Sequence, residues 1–450
     1  MTALAPDAPR QFPGRGGFRR RARKGLTNLQ KGFANLRFVQ FSMIFGLITY
    51  ADYFNLTGYS TAGVGALGKY AYFVCLAFAL VNATVHSERI QLGWNAPTIF
   101  LGFTAFALVP FLYQLATVGD TNSYATAFVG SVAFSVAAFY GSNWDKRDAE
   151  PTRKKLAHWL LALSVLYVGE LFVRKYGDFV YFLHVLNITN HLKSNVFVIA
   201  LALALLAGRT RMVFWLFVLV GVSTFLRPST SLILALSICL PVIWLIRRRL
   251  LFWAEVAAVF VIASAAAIPL ALQLVPGLSE IAVSSETFIK ADTLGGTSNT
   301  LTRLAIMDVA FKRIEESSWL VGEMFTGGTS VQVADVLPFW RSNFSSGLAQ
   351  IHTDYVCVLM EGGVIGYLLF NIAIFLFSRS CFEFLRGEHA IAERAIVGAG
   401  IVGVLSLAIY ASGNPLLQAY QATIAIWLIM FCAQVIVMKD WIVRGLGPRG

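Results

Sequence analysis

Charge is scarce in this sequence. Asp, Glu, Lys and Arg together make up 13% of its 450 residues, where a soluble domain carries roughly 25%. That shortage, with a mean hydropathy of +0.66, excludes an ordinary soluble domain and points to a polytopic membrane protein. Acids are the scarcer sign, with 24 Asp and Glu against 36 Lys and Arg and a net charge of +12. A nucleic-acid-binding protein needs such an excess on one folded face. Here the positive residues stand in short runs between apolar segments, the pattern of orientation signals, so no nucleic-acid partner is expected. Cysteine is also rare. The five, Cys75, Cys239, Cys357, Cys381 and Cys432, lie in or beside apolar segments. They show neither a pairing across the long polar loop nor a metal-ligand spacing, and read as small packing residues. No apolar run precedes Phe38, so no cleavable signal peptide is expected. No internal repeat or low-complexity tract stands out.

What is abundant is apolar sequence, 57% of the chain. Residues 1–36 form a basic tail, with Arg10, Arg15, Arg19, Arg20, Arg21, Arg23, Lys24 and Lys31 against the single acid Asp7. Such a tail suits the cytoplasmic surface of an anionic bilayer, although a mitochondrial transit peptide has similar composition. Twelve apolar runs follow: Phe38–Phe54, Leu67–Val85, Ala96–Thr117, Tyr124–Gly141, Leu156–Phe172, Asn195–Ala207, Met212–Leu226, Ser229–Ile246, Leu251–Val275, Thr353–Phe377, Ala395–Ala411 and Leu416–Met438. The sixth and seventh are short for a span, which needs roughly 17–25 residues. The expected fold is an all-α polytopic membrane protein of about twelve transmembrane helices. Residues 37–275 carry helices 1–9, residues 276–352 form one large loop between helices 9 and 10, residues 353–438 carry helices 10–12, and 439–450 are a tail.

Charge tests the parity. With the N-terminus inside, the inner segments hold 26 Lys and Arg and the outer ones 10 of the 36. The decisive run is Met212–Ile246. Arg209 and Arg211 precede it and Arg247, Arg248 and Arg249 follow it, and both clusters belong inside. The run must therefore cross twice. Pro228 supplies the break, because it lacks a helical donor and constrains its neighbour, and Arg227 then stands at the outer tip. The same parity puts the 276–352 loop outside and both termini inside. It also puts His86, His158 and His389 inside, and His184, His191 and His352 outside. Glu170 and Arg174 stand four apart and suit a helical pair. The apolar, aromatic stretch Phe179–Leu186 suits the membrane interface.

The polar residues converge between Thr300 and Phe370. Leu301–Glu316 has helical apolar spacing at Leu301, Leu304, Ala305, Ile306, Val309, Ala310 and Ile314, with Ser298 or Thr300 as its cap. His352 precedes an apolar helix, next to Thr353 and Asp354. An imidazole, titrating near ~6.5, can take a proton from a hydroxyl; it can equally just bond a loop backbone. The outer arginines are Arg174, Arg227, Arg303, Arg313 and Arg341. A guanidinium grips phosphate oxygens in a fork and keeps its charge, but it can also snorkel or pair with an acid. Glu361 lies about two turns into an apolar helix, where an acid normally faces the bundle and pairs. Gly362 and Gly366 form a GxxxG that permits close helix contact. The stripe Phe103, Phe106 and Phe111 suits core or lipid.

Taken together, Arg303, Trp319-Leu320-Val321-Gly322, His352-Thr353-Asp354-Tyr355 and Glu361-Gly362-Gly363-Val364-Ile365-Gly366 resemble the signature region of the O-antigen ligase and polymerase superfamily of bacterial membrane glycosyltransferases. The resemblance is sharp over Thr300–Phe370 and looser over the twelve-span layout and Arg227. Thr353 stands where the family commonly has Asn, and Gly322–Gly328 matches the family's glycine-rich segment imperfectly. The resemblance implies an inner-membrane enzyme whose 276–352 loop is periplasmic. It implies a donor glycan on undecaprenyl pyrophosphate, an acceptor that is a glycan or the lipid A core, and no metal or cofactor. It assigns acceptor activation to His352, the leaving pyrophosphate to Arg227 and Arg303, and substrate binding also to Tyr355 and Glu361. A nearby diphosphate would raise the histidine's pKa and hold it protonated, leaving it less available as a base. His352 is thus either a base, with Asp354 orienting its ring, or a positioning group. Repeat-unit polymerisation is favoured over ligation to lipid A core, the two sharing one donor. A lipid-linked-sugar flippase is the rival of another class, less favoured because its ionisable residues belong at midplane in two similar halves.

Overall fold

Apolar stretches between turn residues fold as helices, and their ends are set by local chemistry. The computed structural model describes residues 43–44, 95–118, 148–176, 193–275, 299–324, 330–332, 348–351, 353–413, 416–417 and 420–443. Ten helices lie among them: α1 (Ala96–Val118), α2 (Ala149–Tyr176), α3 (Asn195–Leu206), α4 (Thr210–Leu226), α5 (Thr230–Arg247), α6 (Leu251–Leu274), α7 (Asn299–Glu316), α8 (Asp354–Arg386), α9 (Ile391–Ala411) and α10 (Tyr420–Val443). One short antiparallel pair joins β1 (Ser330–Gln332) to β2 (Leu348–Gln350), with Ser330 opposite Gln350. Six of the helices, α2, α5, α6, α8, α9 and α10, are long and apolar enough to cross a membrane. The chain is a helical membrane protein. Nine of the twelve expected runs correspond to α1–α6 and α8–α10. Those at Phe38–Phe54, Leu67–Val85 and Tyr124–Gly141 lie outside the described residues, apart from Met43 and Ile44.

The break expected at Pro228 is present. Helix α4 stops at Leu226, Arg227 is extended at φ −149° and ψ 100°, as the residue before a proline must be, and Ser229 caps α5 by accepting the Leu232 N–H at 3.3 Å. At the other ends, α3 and α5 both finish in left-handed turns. Gly208 sends the Arg209 N–H back to Ala204 O at 2.9 Å, and Arg249 sends the Leu250 N–H back to Leu245 O at 2.9 Å. This closure satisfies carbonyls left open by the last helical turn, and the next helix begins at once.

Helix α9 is the centre of the bundle. It packs on α2, α3, α5, α6, α8 and α10 and is buried along almost its whole length. Helix α3, 12 residues and thus about 18 Å long, is too short to span ~30 Å of hydrocarbon, and protein surrounds Asn195 through Ala204. Helix α1 lies on α8, with Phe103 against Phe370 at 6.0 Å between ring centroids and Phe106 over Gly366. The Phe103 ring is core, and the Phe111 side chain lies outside the described residues.

The bundle has two chemically distinct ends. At one, Glu150 binds Arg153 and Arg209, Glu255 binds Arg386, Arg249 bears on Arg394, and the His389 ring stacks on Phe384 with Nδ1 3.9 Å from Asp440. Leu206 and Ile246 meet there over Gly398. Helix α4 therefore starts at this basic end and α5 returns to it, which leaves Arg227 at the opposite end. Exposed Trp215, Trp244 and Trp253 ring the basic end within about a turn of the arginines, as interfacial aromatics do. At the opposite end the Ser194 and Tyr410 hydroxyls share a 2.6 Å hydrogen bond, and Asn195 donates to Ala422 O at 2.8 Å.

Candidate functional site

The Trp319–Gly322 motif and the Glu361–Gly366 motif, more than 35 residues apart, dock backbone to backbone. Helix α8 breaks at Gly363, which takes φ 58° and ψ −165°. A break in a membrane helix frees polar backbone groups that lipid cannot satisfy. The loop satisfies them: Val364 N–H donates to Trp319 O at 2.8 Å, Ile365 N–H to Leu320 O at 3.1 Å, and Glu323 N–H to Met360 O at 2.9 Å. The two chains approach so closely that a Cβ on Gly322 (φ 62°) would sit 2.5 Å from Gly363 N, and one on Gly363 would sit 2.5 Å from Gly322 N. Close approach therefore depends on Gly322 and Gly363, whereas a Cβ on the GxxxG residue Gly366 would meet side chains, the Phe106 ring at 3.3 Å and the Phe103 ring at 3.9 Å.

Helix α7 holds this loop in place. Ile306, Met307, Ala310, Phe311 and Ile314 are buried where it packs on α8, close to the expected stripe, and the Phe311 ring lies 6.2 Å from Trp319. Its start is Asn299; Ser298 lies outside the described residues. Arg313 forks onto Glu323 with bonds of 3.0 and 2.6 Å, so this arginine is committed to an acid. The backbone of Arg303 is in α7, and helical register puts position 303 on the face of Met307, Ala310 and Ile314. Its side chain lies outside the described residues. Met307 Sδ accepts from Thr353 Oγ1 at 3.8 Å. Thus α7 touches the chain immediately after His352.

His352 itself lies outside the described residues, between buried Ile351 and Thr353 at the junction of β2 and α8. Asp354, the expected orienting group, is fully buried, and its Oδ2 accepts the Leu417 N–H at 2.7 Å, tying α8 to the α9–α10 connection. Its Oδ1 has no hydrogen-bond partner. Tyr355 is enclosed with its ring 6.2 Å from Tyr367, and its hydroxyl likewise lacks a partner. Glu361 is enclosed on the turn of α8 that receives the Gly322 loop.

Arg227 sits half-buried at the tip between α4 and α5, and no carboxylate pairs with it among the described residues. Its charge bears on Tyr167 of α2, whose hydroxyl is buried beside Ser194 and Ser223. Sequence reasoning missed this group. It also missed Lys193, whose ammonium meets the Glu170 carboxylate at 2.8 Å with both side chains buried. The Arg174 side chain lies outside the described residues. Lys193 stands 23 positions away, beyond the reach of any local spacing rule. Among the described residues no cluster of His, Cys, Asp or Glu is arranged to hold a metal ion. No protein-family model matches the chain, and no curated protein matches it.

Proposed function

We propose that this protein is an inner-membrane glycosyltransferase of the O-antigen ligase and polymerase kind, joining lipid-linked repeat units of O-antigen or exopolysaccharide at the periplasmic face. The observation that carries the reading is Arg227, a half-buried guanidinium at a hairpin tip with no acid beside it among the described residues. A charge in an apolar hairpin costs about 3 kcal/mol and calls for an anion. The diphosphate of undecaprenyl pyrophosphate is such an anion, and the planar fork suits its oxygens. The collection of basic clusters at the other end supports a cytoplasmic assignment for that end. Twelve spans, cytoplasmic termini and a periplasmic 276–352 loop follow in this reading.

In the proposed reaction His352 takes the proton of an acceptor hydroxyl, or positions that hydroxyl. The acceptor oxygen bonds to the anomeric carbon of the donor glycan, and the bond from that carbon to the diphosphate oxygen breaks. Undecaprenyl pyrophosphate leaves with the electron pair, its growing charge met by Arg227 and Arg303. Tyr355 and Glu361 shape the substrate side of the site from α8.

Donor binding tests the reading directly. Arg227→Ala is expected to weaken binding of purified lipid-linked donor by about 2–5 kcal/mol while leaving the protein inserted; unchanged affinity removes the phosphate role. A deletion strain separates the activities. Single repeat units on carrier or core mark a polymerase, and long polymer stranded on undecaprenol marks a ligase. Lipid-linked units held on the inner leaflet mark a flippase.

A further inference from the structure

Between α2, α4 and the Gly208 turn, at the basic end, lies a cavity of about 560 Å³ lined by Arg153, Lys154, Arg209 and Arg211. Its size falls within the ~300–1,000 Å³ of small-ligand sites. Three of these cations, Arg153, Lys154 and Arg209, bear on the Glu150 carboxylate, which is already engaged: it accepts from Arg153 at 2.8 and 2.6 Å and from Arg209 at 3.4 Å. Arg153 is 3% exposed and held rigidly by this fork. It spends two of its five N–H donors there.

The cavity wall is not wholly polar. Leu161 and Met212 line it below the charges. The surface then continues along the exposed apolar side chain of Val165, one turn further down α2, and along Trp215 on α4. The exposed tryptophans of this end mark the headgroup level of a bilayer. A cationic chamber at that level, opening onto an apolar path, has the two-part chemistry of a phospholipid.

We infer that this cavity binds the phosphate headgroup of an anionic phospholipid in the leaflet at the basic end, with the acyl chains lying along α2 and α4. The site is separate from the Arg227 tip, at the other end of the bundle.

Delipidated full-length protein, titrated with phosphatidylglycerol and followed by native mass spectrometry, tests this. Each basic group near an anionic headgroup is worth about five-fold in affinity, so Arg209→Gln with Arg211→Gln should weaken phosphatidylglycerol binding about thirty-fold. Lys154→Gln, at a side chain 58% exposed, should weaken it about five-fold and leaves the fold untouched. Arg247→Gln with Arg248→Gln removes the same charge outside the cavity and should leave binding within two-fold of wild type. Equal loss in both double variants would show only a general basic surface and overturn the site. So would equal binding of phosphatidylcholine. Inorganic phosphate protecting the protein at the same concentration as the lipid would assign the cavity to a free anion and overturn the lipid.

Discussion

Replacing Gly363 by alanine tests the central contact of the candidate site. At φ 58° and ψ −165° an alanine is strained by about 1–3 kcal/mol whatever the space around it. There is no space either. The new Cβ would lie 2.5 Å from Gly322 N and would press on the Leu320 carbonyl. Both are backbone atoms, so no side-chain rotation relieves the clash and the Trp319–Gly322 loop must lift. Lifting it breaks the bonds from Glu323, Val364 and Ile365, each worth about 1 kcal/mol net and more if its groups stay buried and unmet. The sum is about 4–6 kcal/mol, a large share of typical stability, and is expected to lower the melting temperature on the order of 5–10 °C. The assay is thermal unfolding of detergent-purified protein at one fixed scan rate, since such unfolding is often irreversible. Gly322→Ala should match Gly363→Ala, because it makes the reciprocal clash. Gly366→Ala meets only the Phe106 and Phe103 side chains and should cost far less. Gly221→Ala, with nothing within 4 Å, should be neutral or stabilising by up to about 1 kcal/mol. If Gly363→Ala melts within a degree or two of Gly366→Ala, the backbone docking is not what holds the loop.

Three further outcomes are expected. His352→Ala should lower turnover on lipid-linked donor by about 10²–10⁴-fold if the imidazole is the base, with His352→Gln nearly as inactive; recovery by Gln marks a positioning role, and near-normal turnover in both removes the residue from the site. Reporter fusions after Gly296 and after Arg248 should fall on opposite sides of the membrane, and the same side for both defeats the twelve-span arrangement. Lys193→Met should destabilise by about 3–5 kcal/mol by taking a buried cation from Glu170, while Lys193→Met with Glu170→Leu should regain most of it, as read by detergent unfolding; equal instability of the double variant would place the stabilisation elsewhere.

What the sequence reveals here follows the range of the interaction. Pro228 acts on its own neighbour, so the end of α4, the extended Arg227 and the return of α5 were legible from two residues and the flanking arginines. The apolar face of α7 was legible for the same reason, since helical period is local. The docking of Gly322 against Gly363 was not. Glycine announces permission for unusual backbone or close approach but not the partner, and the nearest pattern, Gly362 with Gly366, suggested a helix contact in its place. The Glu170–Lys193 pair was not legible either, since the acid binds Lys193 across a connection that only the fold closes. The Tyr167 hydroxyl on which Arg227 bears, and the Ser194 and Tyr410 hydroxyls near it, come from three separate parts of the chain, and no single stretch carries them as a pattern. His352, the residue on which the proposed chemistry most depends, lies outside the described residues and rests on its motif and on the burial of its two neighbours.

The position of α9 carries a consequence for how the chain is made. Its neighbours α2, α3, α5 and α6 leave the ribosome well before it, yet it occupies the space they surround, with Gly400 against Ala433 and Gly403 against Ile429 of the still later α10. Helices inserted earlier must therefore wait around a vacancy filled by lipid or by loose mutual contact until residues 391–443 arrive. Assembly is completed from the inside by the last helices to be synthesised. A chain interrupted ahead of α9 would hold its earlier helices without the one on which α2, α3, α5 and α6 all pack.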